Sequence, residues 1–183
     1  EQLDLLIDEI LTYARLEQGT PNIEFQPVVI GELCEQLRDE LETIRDETAI
    51  TVANPYPTLE VEAEERYLHR VLQNLVTNAL RYAQSRIVMR VEESEDRVVI
   101  HVDDDGPGIP EHERERVFKP FARLDKSRHR ASGGYGLGLS IVKRIVDWHG
   151  GEIHVDESPE GGARFTVTLP KSQQGQHVLG RMG

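Results

Sequence analysis

The chain has a single cysteine, no apolar run long enough to cross a membrane, and too little positive charge to balance its acids. A lone thiol, Cys34, cannot close an internal disulfide and builds no zinc cluster. It falls on the apolar side of a helical pattern, where free cysteine behaves as a small core residue. Nothing approaches the roughly 20 apolar residues of a spanning helix, and no signal-peptide pattern is present. With 33 Asp and Glu against 21 Lys and Arg, the formal net charge is -12. A general binder of nucleic acid or anionic membranes carries the opposite balance. No internal repeat appears, and a reducing, cytosolic compartment is expected. Glu1 lies within a helical pattern, so the chain reads as a piece of a longer protein.

What is present suits one domain of ordinary size, because 183 residues can bury a sizeable core. Residues 1–17 read as an amphipathic helix with Leu3, Leu6, Ile7, Ile10 and Leu11 on one stripe, stopped by Gly19, Thr20 and Pro21. A short strand is expected over 24–28, a second helix over 31–47 with Leu33, Cys34, Leu37, Leu41 and Ile44 inward, and a strand over 50–53. The strongest helical pattern covers 64–82. Residues 87–92 and 97–102 alternate as a hairpin pair. A glycine-punctuated basic stretch runs from about 118 to 136. A helix over 137–149, ended by Gly150 and Gly151, precedes strands over 153–156 and 163–169. Without regular βαβ units, this order predicts an α+β sandwich: a mixed, mainly antiparallel sheet with helices on one face. The Gln- and Gly-rich tail, residues 173–183, is expected to be disordered.

Three features carry chemistry. On the 64–82 helix, Asn74, Asn78 and Arg81 recur at i, i+4 and i+7 as a narrow polar stripe. Two amides one turn apart offer oxygens to a hard cation, and a guanidinium one turn on can meet phosphate. Taken alone, the stripe is equally the helix's solvated edge. Second, the 97–102 strand breaks into Asp103-Asp104-Asp105-Gly106-Pro107-Gly108-Ile109. A carboxylate at a strand end can accept from an exocyclic amine such as that of adenine, and glycines let a flat ring approach. A plain Asx turn is the alternative. A calcium loop is excluded, because the EF-hand pattern around that glycine would put His101 and His112 at its first and last ligand positions. Third, Gly133-Gly134-Tyr135-Gly136-Leu137-Gly138-Leu139 opens a helix, where backbone amides form an anion site. It lacks the Gly-Lys-Ser/Thr of a Walker loop and the leading strand of a dinucleotide fingerprint. Lys119, Arg123, Lys126, Arg128 and Arg130 precede or flank it. They strengthen a phosphate reading against a merely solvated charge run.

Together these segments resemble the bacterial sensor histidine kinases. Residues 74–82, Asn-Leu-Val-Thr-Asn-Ala-Leu-Arg-Tyr, look like the family's asparagine box. Residues 104–109 are similar to its first glycine box, and 118–125, Phe-Lys-Pro-Phe-Ala-Arg-Leu-Asp, to its phenylalanine box. Residues 134–140 resemble the second glycine box and 161–165 the last. The resemblance spans about residues 22–170, in family order, and implies the Bergerat ATP-binding fold with a mobile lid over about 122–136. It further implies that Asp104 reads adenine, that Asn78 is the main magnesium ligand with Asn74 beside it, and that Arg81 contacts phosphate. Tyr82, Gly106, Gly108, Ile109, Phe118 and Arg123 would contribute to the nucleotide pocket. Gly134, Tyr135, Gly136, Leu137, Gly138 and Leu139 would complete it, with Gly136 and Gly138 framing the phosphates.

On the same resemblance, residues 1–19 are the end of the second helix of a dimerisation and histidine-phosphotransfer hairpin, and 20–172 the catalytic domain. The acceptor histidine of that hairpin is missing, since the first histidine here is His69. His69, His101, His112, His129, His149 and His154 read as structural or solvated. The implied partners are ATP or ADP, magnesium, the hairpin and, through the parent protein, a response regulator; nucleic acid is not among them. The parent is expected to be a homodimeric bacterial inner-membrane sensor with this domain in the cytoplasm. ATPases of the gyrase, MutL and Hsp90 type share the fold but carry a glutamate one turn before the magnesium asparagine. Asn74 stands there instead, so no general base for hydrolysis is present. A nucleotide-binding module with degenerate catalysis is the non-enzymatic alternative.

Overall fold

In the computed structural model, residues 2–19, 22–42, 47–122 and 137–173 are described. Four α-helices and seven strands lie among them: α1 (Gln2–Glu17), β1 (Gln26–Val29), α2 (Ile30–Glu42), β2 (Ala49–Ala53), β3 (Glu60–Ala63), α3 (Glu65–Tyr82), β4 (Arg86–Glu93), β5 (Arg97–Asp104), α4 (Gly138–Trp148), β6 (Glu152–Glu157) and β7 (Ala163–Pro170). Two 3-10 turns, Glu111–Glu113 and Arg116–Phe118, follow β5.

The main sheet has the order β2-β4-β5-β7-β6, with β2 parallel to β4 and the other pairs antiparallel. This is the expected mixed, mainly antiparallel sheet. Period-two alternation aims Met89, Ile100, Val102, Phe165 and Val167, all fully buried, at one face. Against that face pack α2, α3 and α4. Helix α3 buries Leu68, Val71, Leu72, Leu75, Val76 and Ala79 along one stripe, each leucine contributing about 1.5–3 kcal/mol. The opposite face is polar. There Asp103, with no exposed surface, accepts from Arg90 Nε at 2.9 Å and from Arg164 Nε at 2.7 Å. A buried carboxylate is tolerable only when paired in this way.

The boundaries differ from expectation in places. The second helix begins at Ile30, and Glu47, expected at its end, already lies in a turn. The chain must be extended by Ala49, whose amide donates to Ser85 O at 3.0 Å. Ile44 falls outside the described residues. Strand β1 starts at Gln26 rather than Glu24, whose amide instead donates to Glu64 Oε2 at 3.3 Å. Strand β3 was not anticipated; it pairs with β1 in a small second sheet. Gln173, expected in the disordered tail, is buried, with its amide on Glu62 Oε2 at 2.7 Å and its Nε2 on His149 O at 2.6 Å. The rest of that tail, 174–183, lies outside the described residues.

Candidate nucleotide site

Strand β5 ends on Asp104 because the inward register that buries Val98, Ile100 and Val102 continues to it. Only 2% of Asp104 is exposed. Its Oδ1 accepts from Gly106 N at 2.9 Å and from Ala163 N at 3.2 Å. No described residue is hydrogen-bonded to Oδ2. Burial pushes the carboxyl above the usual carboxylate range, while the two amides hold it down and Asp105 and Asp103 add to the rise.

Two glycines make this enclosure possible. A Cβ on Gly106 would run into the carbonyl of Tyr82, and one on Gly162 would overlap Asp104 Oδ1. Gly162 N also donates to Asp104 O at 3.1 Å. Gly108 has φ +76, a left-handed conformation that glycine adopts without strain. Ile109, next along, packs on the core rim.

Helix α3 runs past Asp104 with the polar stripe half-buried at Asn74, Asn78, Arg81 and Tyr82. Asn74 Nδ2 donates to Gly138 O at 3.1 Å, linking α3 to the first residue of α4. No hydrogen bond joins the Asn78 side chain to another described residue. Glu9 of α1 lies within reach of the charges on α3: burial raises its carboxyl pKa, and the charges of Arg81 and Arg70 lower it. Arg70 also meets Asp8 at 3.1 Å, so α1 is held near α3 by acid–base contacts.

The structure thus brings Asn74, Asn78, Arg81, Tyr82, Asp104, Gly106, Gly108 and Gly138 into one region. Leu137 differs: its side chain has no exposed surface, and its carbonyl accepts from Ser140 Oγ at 2.7 Å. Phe118 sits edge-on to Phe165 at 6.1 Å, at the core rim with Leu139. Arg123, Gly134, Tyr135, Gly136 and the expected lid beyond Ala122 lie outside the described residues. Gly162 and Asp105 were not among the expected site residues. The first could have been found from the last glycine box and the second from its place in the first glycine box, between Asp104 and Gly106.

The profile of the histidine kinase-, DNA gyrase B- and HSP90-like ATPases matches residues 63–173, the stretch that holds α3, Asp104 and the opening of α4. The chain belongs to that family. Within it, the chain is the ATP-binding domain of the bacterial sensor histidine kinase type. It is 41% identical over 173 residues to the sensor protein RstB of Escherichia coli K12, covering 92% of this chain and 39% of RstB. The structure of full-length ShkA in complex with AMPPNP superposes with a TM-score of 0.80 at 29% identity, covering 93% of this chain and 36% of ShkA. ThkA in complex with the response regulator protein TrrA gives a TM-score of 0.75 at 29% identity, over 93% of this chain and 47% of ThkA. The α+β sandwich is therefore the architecture of histidine kinase catalytic domains, and the chain spans about two-fifths of the length of RstB.

Proposed function

We propose that this domain binds ATP with magnesium and passes the γ-phosphoryl group to a histidine of a dimerisation hairpin whose second helix ends in α1. The observation that carries the reading is the Asp104 carboxylate. One oxygen is held by two backbone amides and the other has no partner among the described residues, at a strand end beside the α3 stripe. An acceptor fixed in a buried site suits the exocyclic amine of adenine, which would otherwise lose its hydrogen bond to water. With adenine there, Tyr82 and Gly106 flank the base, and the stripe leads towards the phosphates.

The donor set fits magnesium held jointly with the nucleotide. No group of three or more His, Cys, Asp or Glu side chains among the described residues could hold a metal, so an all-protein carboxylate cage is not the model for this site. Magnesium needs only one or two protein oxygens when phosphates and waters supply the rest. Asn78 offers an amide oxygen, while Asn74, whose nitrogen is engaged with Gly138 O, retains Oδ1. Bound there, the ion would neutralise phosphate charge. Arg81 would add a second cationic contact, and the first amides of α4 from Gly138 onward an anion site.

Phosphoryl transfer depends on positioning and charge neutralisation more than on protein acid–base groups. Asn74 cannot take a proton from water, which disfavours hydrolysis. The acceptor side of the reading draws on α1, where Leu3 (67%), Ile7 (46%), Ile10 (44%) and Leu11 (51%) expose an apolar face suited to packing in a helical hairpin and against a second copy. A response regulator, as in the ThkA–TrrA complex, would then receive the phosphoryl group. On this reading the parent is a homodimeric inner-membrane sensor with this domain in the cytoplasm. No helix among the described residues is itself long and apolar enough to cross a membrane.

Radiolabelled ATP tests the proposal. The chain alone is expected not to label itself, and a supplied histidine hairpin should become labelled, weakly, because the tether that raises effective concentration is absent. Strong acid-labile, alkali-stable self-labelling would place the acceptor among the chain's own histidines and overturn the assignment of α1.

A further inference from the structure

The geometry points to Asp105 as the positioning residue that sets Asp104 in register with the end of α3, and so governs how well the site tells adenine from other bases. The inference rests on the nucleotide reading above.

The β4–β5 ladder ends at the pair Ile87↔Asp104. One residue further on, the side chain of Asp105 takes over from the backbone. Its Oδ1 accepts from Gln84 N at 2.8 Å, Ser85 N at 3.1 Å and Arg86 N at 3.3 Å. Its Oδ2 accepts from Ser85 Oγ at 2.6 Å and Ser85 N at 3.2 Å. Helix α3 has just closed, with Ala83 N bonded back to Ala79 O at 2.8 Å. The next three amides would otherwise be left to water. One carboxylate gathers all three. Burial works against the charge, but the Ser85 hydroxyl and the Ser85, Arg86 and Gln84 amides outweigh it and bring the carboxyl down to about 2. The latch is therefore ionised throughout the physiological range.

The neighbours of Asp105 give the latch its consequence. Asp104, before it, points into the site. Gly106, after it, lies flush against the carbonyl of Tyr82, which leaves no room for a Cβ. Asp105 and Gly106 are thus fixed to the exit of the helix that carries Asn78, Arg81 and Tyr82, and Asp104 is tied to them through its bond from Gly106 N. No nucleotide atom needs to touch Asp105 for it to matter. If the latch opens, the Asp104 oxygen shifts relative to the stripe, and a base amine held by the first no longer lines up with phosphates held by the second.

The test compares ADP with IDP, which carries a carbonyl where adenine has its amine. Calorimetry on the 183-residue chain should show wild type preferring ADP. Asp105→Ala should narrow that preference by about tenfold, since a shifted acceptor forfeits a charge-assisted hydrogen bond. Asp105→Asn keeps an oxygen for the amides and should retain most of the preference. A residue with only a structural role would lower the melting temperature and leave the ADP/IDP ratio unchanged, and that result overturns the inference. If Asp105→Ala does not fold, Ser85→Ala removes the shortest contact and should narrow the ratio to a smaller extent; an unchanged ratio there overturns it equally. Absence of ADP binding by wild type would instead overturn the nucleotide reading and remove the basis for this one.

Discussion

Asn74 and Gly138 are 64 residues apart, yet the side-chain amide of the first donates to the carbonyl of the second at 3.1 Å. This contact joins the helix of the asparagine box to the helix opened by the second glycine box. Asn74→Ala should cost about 1 kcal/mol, the usual net worth of one hydrogen bond. Asn74→Asp should cost at least as much, because a carboxylate facing a carbonyl cannot donate. Denaturant midpoints measured at constant slope check both; a midpoint unchanged in either variant removes the contact from the account.

Gly106→Ala should be more damaging than Gly161→Ala. A methyl at Gly106 meets the backbone carbonyl of Tyr82, which cannot swing aside, whereas the space at Gly161 is open and only its φ of +104 resists a side chain. Overpacking costs about 1–3 kcal/mol, and a left-handed conformation about 1–2 kcal/mol for a non-glycine residue. Gly106→Ala should also weaken nucleotide binding. Unfolding midpoints and ADP titrations of the two variants separate the effects.

Much of this arrangement was legible in the sequence because strong periodicity and glycine-rich punctuation are local signals. The apolar stripe from Leu68 to Ala79 forms a helix, and the alternation in 97–102 forms a strand, as written. Strand β3 was hidden because Glu60-Val61-Glu62-Ala63 offers only two apolar positions, and its reason for being extended is a distant partner, β1. The second helix stops early for the same kind of reason: Ala49 must reach Ser85. The latch at Asp105 and the enclosure of Asp104 by Gly162 depend on contacts across 19 or more residues, which local pattern does not encode. Buried His149, read as structural, makes one such contact, from Nε2 to the Glu64 amide 85 residues away.

Acidification should destabilise the fold through His149. Its Nε2 lies 3.2 Å from Glu64 N, which can only donate, and its Nδ1 lies 2.8 Å from Ile145 O, which can only accept. That fixes a neutral ring protonated on Nδ1. Burial depresses its pKa, with the Ile145 carbonyl and Glu64 opposing. A histidine with a depressed folded pKa contributes stability fully above its unfolded value, about 6.5, and loses it as pH falls through the folded value. NMR titration should give His149 a midpoint below the ordinary histidine value of about 6.5; a midpoint at or above it contradicts the neutral assignment.

Asp104→Asn should raise stability while lowering nucleotide affinity. A carboxyl with its folded pKa raised favours folding only while protonated, and that advantage is lost as pH rises through the folded value. At neutral pH the buried charge therefore opposes folding, and asparagine keeps an oxygen for the Gly106 and Ala163 amides without it. A higher melting temperature with weaker ADP binding is the expected pair of results. A lower melting temperature would mean that the charge contributes to the fold.

The central claim, that Asp104 reads the adenine ring, is tested most directly by titrating ADP into wild type and Asp104→Ala by calorimetry. Leaving the base amine without its acceptor costs on the order of 1–3 kcal/mol, so affinity should fall by about tenfold to a hundredfold in the variant. Equal ADP affinity in the two proteins would contradict the account.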